Sequence, residues 1–96
     1  MKKIYGVCVE KPRNPFRRIR FNRSIELIAE RELTLIGFYK YIDRVVVIYE
    51  SAECCKGANN LFKYFHYKSE IMGEMYITDE RYEWFTRFGK RCRRWM

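Results

Sequence analysis

The alternation of apolar and polar positions along the chain predicts four β-strands. Residues 3–10 are rich in β-branched and aromatic side chains, a composition typical of a strand. Similar patterns predict strands over residues 33–42 and 70–77. The apolar run Val45–Tyr49 follows a natural turn at Asp43-Arg44. Because no charge interrupts this run, we expect its strand to be central in the sheet.

Two helices are predicted between these strands. A short helix follows Ser24, a candidate N-cap, because apolar residues recur after it at helical spacing. A second helix is predicted over residues 51–67, with Ser51 as its candidate N-cap. The predicted apolar face of this second helix consists of Cys55, Ala58, Phe62 and Phe65.

A last helix is predicted at about 79–95, with Thr78 or Asp79 as its cap. Acidic residues come first in this segment and basic residues come last, which is the order that the helix macrodipole favours. Glu83 and Arg87 have the i, i+4 spacing of a helical ion pair. The predicted apolar stripe is Tyr82, Phe85, Phe88, Cys92 and Trp95.

The predicted order of elements is therefore β-α-β-β-α-β-α. The first six elements match the ferredoxin-like βαββαβ plan, an α+β fold with a split sheet, and the C-terminal helix is an addition to it. We expect residues 1–96 to form a single domain. Many unrelated functions share this fold, so the function has to be argued from particular residues.

The net charge of +8 is concentrated in two short segments. Residues 11–23 carry +6 with no acidic residue, and residues 84–96 carry +5, whereas residues 24–83 sum to −4. Separate basic segments of this kind are typical of proteins that bind a polyanion. Most of their bases are arginines, whose planar guanidinium grips phosphate and stacks on bases.

The first basic segment, residues 11–23, is predicted to be a loop or a partly extended arm, because Pro12 and Pro15 interrupt regular structure. Alternate side chains of an extended arm share a side. One side would carry Arg18 and Arg20, and the other Arg17, Ile19 and Phe21. The alternative is that the apolar residues Phe16, Ile19 and Phe21 pack into the core while the arginines are solvated.

The second basic segment is the end of the last helix, which carries more cations than compensation of the helix dipole requires. Nucleic-acid binding needs cations for phosphates and flat groups for bases. The predicted phosphate contacts in the two segments are Lys11, Arg13, Arg17, Arg18, Arg20, Arg23, Arg87, Lys90, Arg91, Arg93 and Arg94. The candidate stacking residues are Phe16, Phe21 and Trp95, although packing is the favoured role for Trp95.

The sequence carries none of the common catalytic signatures. Its single histidine, His66, allows no histidine pair and is interpreted as a structural or surface residue, and its five glycines are isolated. A metal-dependent nuclease would need carboxylates to gather around a cation, from the set Asp43, Glu50, Glu53, Asp79, Glu80 and Glu83. Helix caps and solvated faces explain these acids more simply. We expect no enzyme activity, no metal and no cofactor.

The four cysteines are Cys8, Cys54, Cys55 and Cys92, and their spacing does not match a zinc site. We expect them to be free thiols that pack as small apolar residues in a reducing, cytoplasmic compartment. The longest stretch without a charge, Leu33–Tyr39, is much shorter than the roughly 20 residues of a membrane-spanning helix. No membrane partner is therefore expected.

Two functional classes remain. The first is a small, non-catalytic protein that binds nucleic acid, RNA slightly favoured over DNA, by charge and shape with weak sequence specificity. The predicted third strand lacks the Gly-aromatic signature of RNA-recognition-motif proteins, so stacking on the sheet is not expected. The alternative is a protein-binding inhibitor or adaptor that acts on a nucleic-acid enzyme. In general character it is similar to bacteriophage accessory and anti-defence proteins, and it is rich in Tyr and Arg, which are common in interfaces.

Overall fold

The computed structural model describes the backbone of residues 1–95 and the side chains of residues 1–87. It contains four strands and three helices in the predicted order. The strands are β1 (Lys2–Glu10), β2 (Leu35–Lys40), β3 (Arg44–Tyr49) and β4 (Ser69–Ile77), and the helices are α1 (Pro15–Ala29), α2 (Ala52–Tyr64) and α3 (Asp79–Trp95).

The four strands form one sheet in the order β2-β3-β1-β4, and all neighbouring strands are antiparallel. This arrangement, with α1 and α2 in the crossover connections, confirms the ferredoxin-like α+β fold with an additional C-terminal helix. The prediction that Val45–Tyr49 is a central strand is also confirmed, because β3 lies between β2 and β1 and all five of these residues are buried.

The sheet is covered on both faces. Val45, Val47 and Tyr49 point from β3 into a core shared with α1 and α2. The alternate residues of β3, Val46 and Ile48, point to the opposite face, where they pack with Phe85 of α3. Side chains alternate between the two faces of a strand, so α3 lies on the other side of the sheet from α1 and α2.

The first helix is longer than predicted. Asn14 is its N-cap, because its Oδ1 accepts hydrogen bonds from the backbone amides of Phe16 (2.9 Å) and Arg17 (3.3 Å). Pro15 suits the first helical position, because it has no amide hydrogen to leave unpaired and its φ is already helical. The prediction of a loop or extended arm over residues 11–23 is therefore wrong from Pro15 onward, and only residues 11–14 are irregular.

The predicted caps are confirmed for two helices and wrong for one. Ser51 Oγ accepts from the amide of Cys54 at the start of α2, and Thr78 Oγ1 accepts from the amide of Arg81 at the start of α3. Ser24 is not a cap, because it lies inside α1 and its hydroxyl donates to the carbonyl of Arg20 (2.8 Å). Within the described part of the chain, no helix is long and apolar enough to cross a membrane.

Candidate functional site

Because α1 begins at Pro15, the arginines of residues 17–23 are arranged around a helix and do not alternate between two sides as on an extended arm. Arg17 and Arg20 are three residues apart on α1 and lie on neighbouring parts of its surface, facing the α2–β4 side of the molecule. Arg23 is exposed, whereas Arg18 is half-buried. The Nε atom of Arg18 is buried and makes no hydrogen bond within the described residues. The predicted pairing of Arg18 with Arg20 on one side is therefore wrong.

The three apolar residues of the same segment have different environments. Phe21 is fully buried and its ring makes an edge-to-face contact with Tyr67, with 5.2 Å between the ring centroids. The prediction that Phe21 stacks on a base is therefore wrong, because its ring is not accessible. Phe16 is 83% exposed and Ile19 is half exposed, so neither packs in the core. Phe16 retains a ring that a ligand can reach.

A concavity of about 540 Å³ lies where the β1–α1 loop meets the α2–β4 loop. We call it the basic pocket. Its walls bring together Lys11 and Arg13 from the first loop, Arg17 from α1 and Lys68 from the second loop. His66 also lines it, and Glu10 is the one carboxylate among its described lining residues. Such a surplus of cations in a concavity favours an anionic ligand.

The α2–β4 loop positions His66 through a tight helix ending. The amide of Tyr67 donates to the carbonyl of Phe62 (3.0 Å), and the amide of His66 donates to the carbonyl of Lys63 (3.0 Å). These are the two hydrogen bonds of a Schellman motif, in which the residue directly after the C-cap adopts the left-handed conformation. His66 accordingly has a φ of 66°. Its carbonyl accepts a hydrogen bond from Arg17 (3.4 Å), which ties α1 to this loop.

A second concavity, which we call the α1–α2 cleft, has a volume of about 860 Å³. Arg20 and Arg31 enter it from the α1 side, and Lys63 from α2. None of its described lining residues is acidic. Its walls also carry the apolar and aromatic side chains Leu27, Ile28, Tyr64, Phe65 and Tyr67. Cations and aromatic rings therefore occur together in one groove.

The two concavities adjoin, because His66 and Tyr67 line both of them. Together they contain seven lysines and arginines and one carboxylate: Lys11, Arg13, Arg17, Arg20, Arg31, Lys63, Lys68 and Glu10. Across residues 1–87, none of these seven bases forms an ion pair with a carboxylate within 4.0 Å. Carboxylates pair elsewhere, as Glu26 does with Lys40 (3.0 Å) and Glu74 with Lys3 (2.9 Å). The positive charge of this surface is therefore not neutralised by the protein.

The sequence argument missed four members of this site. Arg31, Lys63 and Lys68 belong to the segment whose net charge is negative, and His66 was interpreted only as a structural or surface residue. One signal was available for Arg31. Arg31 follows the end of α1 by two residues, and its spacing of eleven residues from Arg20 is close to three helical turns, so continuing the helical period past Ala29 places both on the same side. Lys63 and Lys68 depend on how α2 packs beside α1, which no local pattern encodes.

Of the bases in the second basic segment, the structure describes the side chain of Arg87. Arg87 is exposed, and its guanidinium lies 4.0 Å from the carboxylate of Glu83, which confirms the predicted i, i+4 pair. The side chains of Lys90, Arg91, Arg93, Arg94 and Trp95 lie outside the described residues. Because α3 packs on the opposite face of the sheet from α1, Arg87 lines neither of the two concavities.

The sheet itself offers no platform for bases under α3. Ile4, Val46 and Ile48 are almost fully buried there beneath Phe85. Tyr5 of β1 points to the other face, against the core beneath α1 and α2. On the helical side, Phe16 and Tyr64 are exposed rings near basic side chains, and Tyr41, with the guanidinium of Arg44 over its ring, is exposed at the β2–β3 turn.

The reactive side chains are dispersed. Within the described part of the chain, no three His, Cys, Asp or Glu side chains group in a way that would hold a metal ion. Burial raises the pKa of the Cys55 thiol to about 11, and its Sγ donates to the carbonyl of Gly6 (3.4 Å). Cys8 is half-buried, and burial raises the pKa of its thiol as well. Cys55 is therefore a packed thiol and a poor nucleophile.

No family model, curated protein or solved structure matches this chain. The charge and shape of the basic pocket and the α1–α2 cleft are therefore the basis for assigning a function.

Proposed function

We propose that this protein binds nucleic acid through the basic pocket and the α1–α2 cleft, as a binding protein without catalytic activity. RNA is favoured slightly over DNA, because RNA more often presents unpaired segments to a protein. The bases at the end of α3, Lys90, Arg91, Arg93 and Arg94, are proposed as a second contact for longer strands. A cytoplasmic location is part of the proposal, because Cys8, Cys54 and Cys55 are free thiols.

The observation that carries the proposal is the unneutralised charge of two adjoining concavities. Seven lysines and arginines line them against one described carboxylate, and none of the seven is ion-paired within residues 1–87. A phosphodiester backbone supplies regularly spaced negative charges that match an extended row of cations, and its binding releases condensed counterions.

Weak sequence specificity follows from the side chains that line the site. Arginine and lysine contact phosphates without reading the base, whereas asparagine and glutamine read adenine edges. The chain has no glutamine. Asn14 is the one asparagine among the described lining residues of the two concavities, and its side chain is engaged as the cap of α1. The binding energy is therefore expected to come from charge and stacking.

Titration of mixed-sequence RNA and DNA at two or more salt concentrations tests the proposal. We expect binding at low salt whose log affinity falls linearly with log salt, by about 0.9 for each phosphate neutralised on a duplex and about 0.7 on a single strand. The absence of any binding at low salt would overturn the proposal.

A charge-reversal pair tests whether the helical side of the molecule makes the contact. The double variant Arg17→Glu with Arg20→Glu should lower affinity by at least about tenfold, because it replaces two phosphate-facing cations by anions. The matched control is Lys56→Glu with Arg81→Glu, which changes the net charge equally at exposed positions outside both concavities. Equal losses of affinity for the two variants would show that the basic pocket and the α1–α2 cleft are not where nucleic acid binds.

A second candidate function is a protein-binding inhibitor or adaptor that acts on a nucleic-acid enzyme. The observation in its favour is the exposure of large apolar side chains beside the arginines of α1: Phe16 is 83% exposed and Leu27 is 67% exposed. Exposed aromatic and arginine side chains are common anchors of protein interfaces. This function predicts a specific partner that stays bound after nuclease treatment, together with no salt-dependent affinity for free RNA or DNA.

A further inference from the structure

We infer that the α1–α2 cleft accepts unpaired nucleobases, so that the ligand is single-stranded nucleic acid. This inference rests on the proposed function and adds which form of the polyanion is bound. Its starting point is the difference between the two adjoining concavities. The basic pocket is dominated by cations, whereas the α1–α2 cleft combines cations with exposed apolar walls.

The walls of the cleft match a base better than a phosphate. Tyr64 is 75% exposed and Leu27 is 67% exposed, although both line the cleft. Phosphates gain nothing from such surfaces, whereas a flat base buries apolar area against them and stacks on aromatic rings. In a duplex the bases are stacked on one another and present only their edges, so only an unpaired base has a face to offer.

The aromatic groups of the cleft are held in a defined arrangement. The ring of Tyr64 meets the ring of Phe65 edge to face, with 5.3 Å between centroids and 90° between planes. The guanidinium of Arg31 lies over the ring of Phe65, 5.3 Å from its centroid. Phe65 is thus covered by its neighbours, and Tyr64 and the outer plane of Arg31 are the surfaces available for stacking.

The position of the cleft lets one strand use both concavities. His66 and Tyr67 line both sites, so a backbone bound in the basic pocket can place an adjoining base in the cleft without leaving the surface. Arg20 and Lys63, at the cleft, are placed to neutralise the next phosphates. The charge of the cleft therefore complements the same strand whose bases it stacks.

Three probes of equal length and phosphate number test the inference: a single strand, the same strand with abasic sites in place of its bases, and a duplex. Affinities are measured at one salt concentration. We expect the intact single strand to bind at least about fivefold more tightly than the abasic strand, because stacking contributes to affinity at each base. The duplex is expected to bind more weakly than the intact strand.

The variant Tyr64→Ala locates the effect. It should lower the affinity for the intact strand by at least about fivefold and leave the affinity for the abasic strand unchanged. Tyr76→Ala is the matched control, because Tyr76 is an exposed tyrosine on β4 that does not line the cleft. Since both side chains are exposed, neither variant should unfold the protein, and circular dichroism checks this.

The outcomes separate the inference from the function on which it rests. If the intact, abasic and duplex probes bind equally with a steep salt dependence, the cleft does not take bases, while the proposed nucleic-acid binding stands. If no probe binds at low salt, both fail. If Tyr64→Ala leaves single-strand affinity unchanged but abolishes capture of a nuclease-resistant protein partner, the cleft is a protein-binding site and the inference is overturned.

Discussion

His66 adopts a backbone conformation that costs energy for a residue with a side chain. Its φ of 66° closes the Schellman motif at the end of α2, where glycine is the usual residue. The left-handed region costs a residue with a Cβ roughly 1–2 kcal/mol. The strain coincides with the point where the basic pocket and the α1–α2 cleft meet, which is where a functional side chain would justify it.

His66→Gly should raise the free energy of unfolding by up to about 1 kcal/mol, because strain relief exceeds the extra entropy that glycine has in the unfolded chain. His66→Ala is the control, since alanine keeps the Cβ and should bring no gain. Urea denaturation of the three proteins measures the difference. A glycine variant no more stable than the parent would show that the conformation is not strained.

The thiol of Cys55 gives the stability a pH dependence with a defined sign. Its folded-state pKa of about 11 lies above the ordinary value of 9.0, because the side chain is buried. The contribution of Cys55 to the free energy of unfolding is therefore fully present below pH 9. It is lost as the pH rises towards 11, since the thiol ionises first in the unfolded chain.

Between pH 9 and pH 11, we expect the titration of this thiol to reduce the free energy of unfolding by on the order of 2 kcal/mol. Denaturant unfolding in the presence of a reductant measures it at each pH. Cys55→Ala is the reference, because other groups titrate in the same range in both proteins. If the two stability curves decline in parallel over this range, Cys55 does not retain its proton in the folded state.

At the scale of elements, α1 depends on a single capping side chain. Asn14 satisfies two amides at the start of the helix that would otherwise be unpaired. Asn14→Ala should lower the free energy of unfolding by about 1 kcal/mol, whereas Asn14→Ser should retain most of it because serine is also a good cap. Thermal or chemical denaturation tests this, and an Asn14→Ala variant as stable as the parent protein would show that the cap is dispensable.

The docking of α3 depends on a glycine in β2. A Cβ at Gly37 would meet the ring of Phe85, which is buried between α3 and the sheet. Gly37→Ala should therefore destabilise the protein by about 1–3 kcal/mol through overpacking. Gly57→Ala is the contrasting variant in α2, where only the carboxylate of Glu32 has to move, and helix propensity predicts a gain of up to about 1 kcal/mol. Differential scanning calorimetry should show opposite shifts, and shifts of the same sign would contradict the assignment.

Most elements were predictable because their local signals agree with their tertiary environment. The apolar run of β3, the cap at Ser51 and the charge order of α3 each point to one structure. α1 was predicted only in part, because the effect of a proline on a helix depends on its position in that helix. Inside a helix proline is disruptive, but at the first position it is favourable, and the distinction rests on the adjacent cap Asn14.

At the scale of the whole molecule, α1 and the part of α3 around Phe85 cover opposite faces of one sheet. A strand of about six nucleotides bound at the basic pocket should therefore be insensitive to the described arginines of α3. Arg17→Glu with Arg20→Glu should weaken it at least about tenfold. Arg81→Glu with Arg87→Glu, an equal change of net charge at two exposed positions of α3, should weaken it by less than about threefold, because neither residue lines the basic pocket or the α1–α2 cleft and distant charges are screened over about 10 Å at 0.1 M salt. Fluorescence anisotropy measures both, and equal losses would contradict this separation.

The candidate site was predictable only where its residues are close in sequence. Lys11, Arg13, Arg17 and Arg20 belong to one basic run, and the run itself indicated an anionic partner. Arg31, Lys63 and Lys68 join them through the packing of α1 beside α2 and the turn at His66. Charge counts along the chain cannot detect this grouping, because long-range packing determines which cations share a surface.

The coverage of β3 on both faces also makes its backbone a reporter of global unfolding. Its amides pair with β1 on one side and β2 on the other, and its side chains are buried in two separate cores. Hydrogen exchange at Val46 and Val47 therefore requires the whole sheet to open, whereas partial undocking of one helix leaves these amides protected. Exchange rates at these two residues would give the stability of the entire molecule, and slower exchange in the presence of a strand would register ligand binding at a site that β3 never touches.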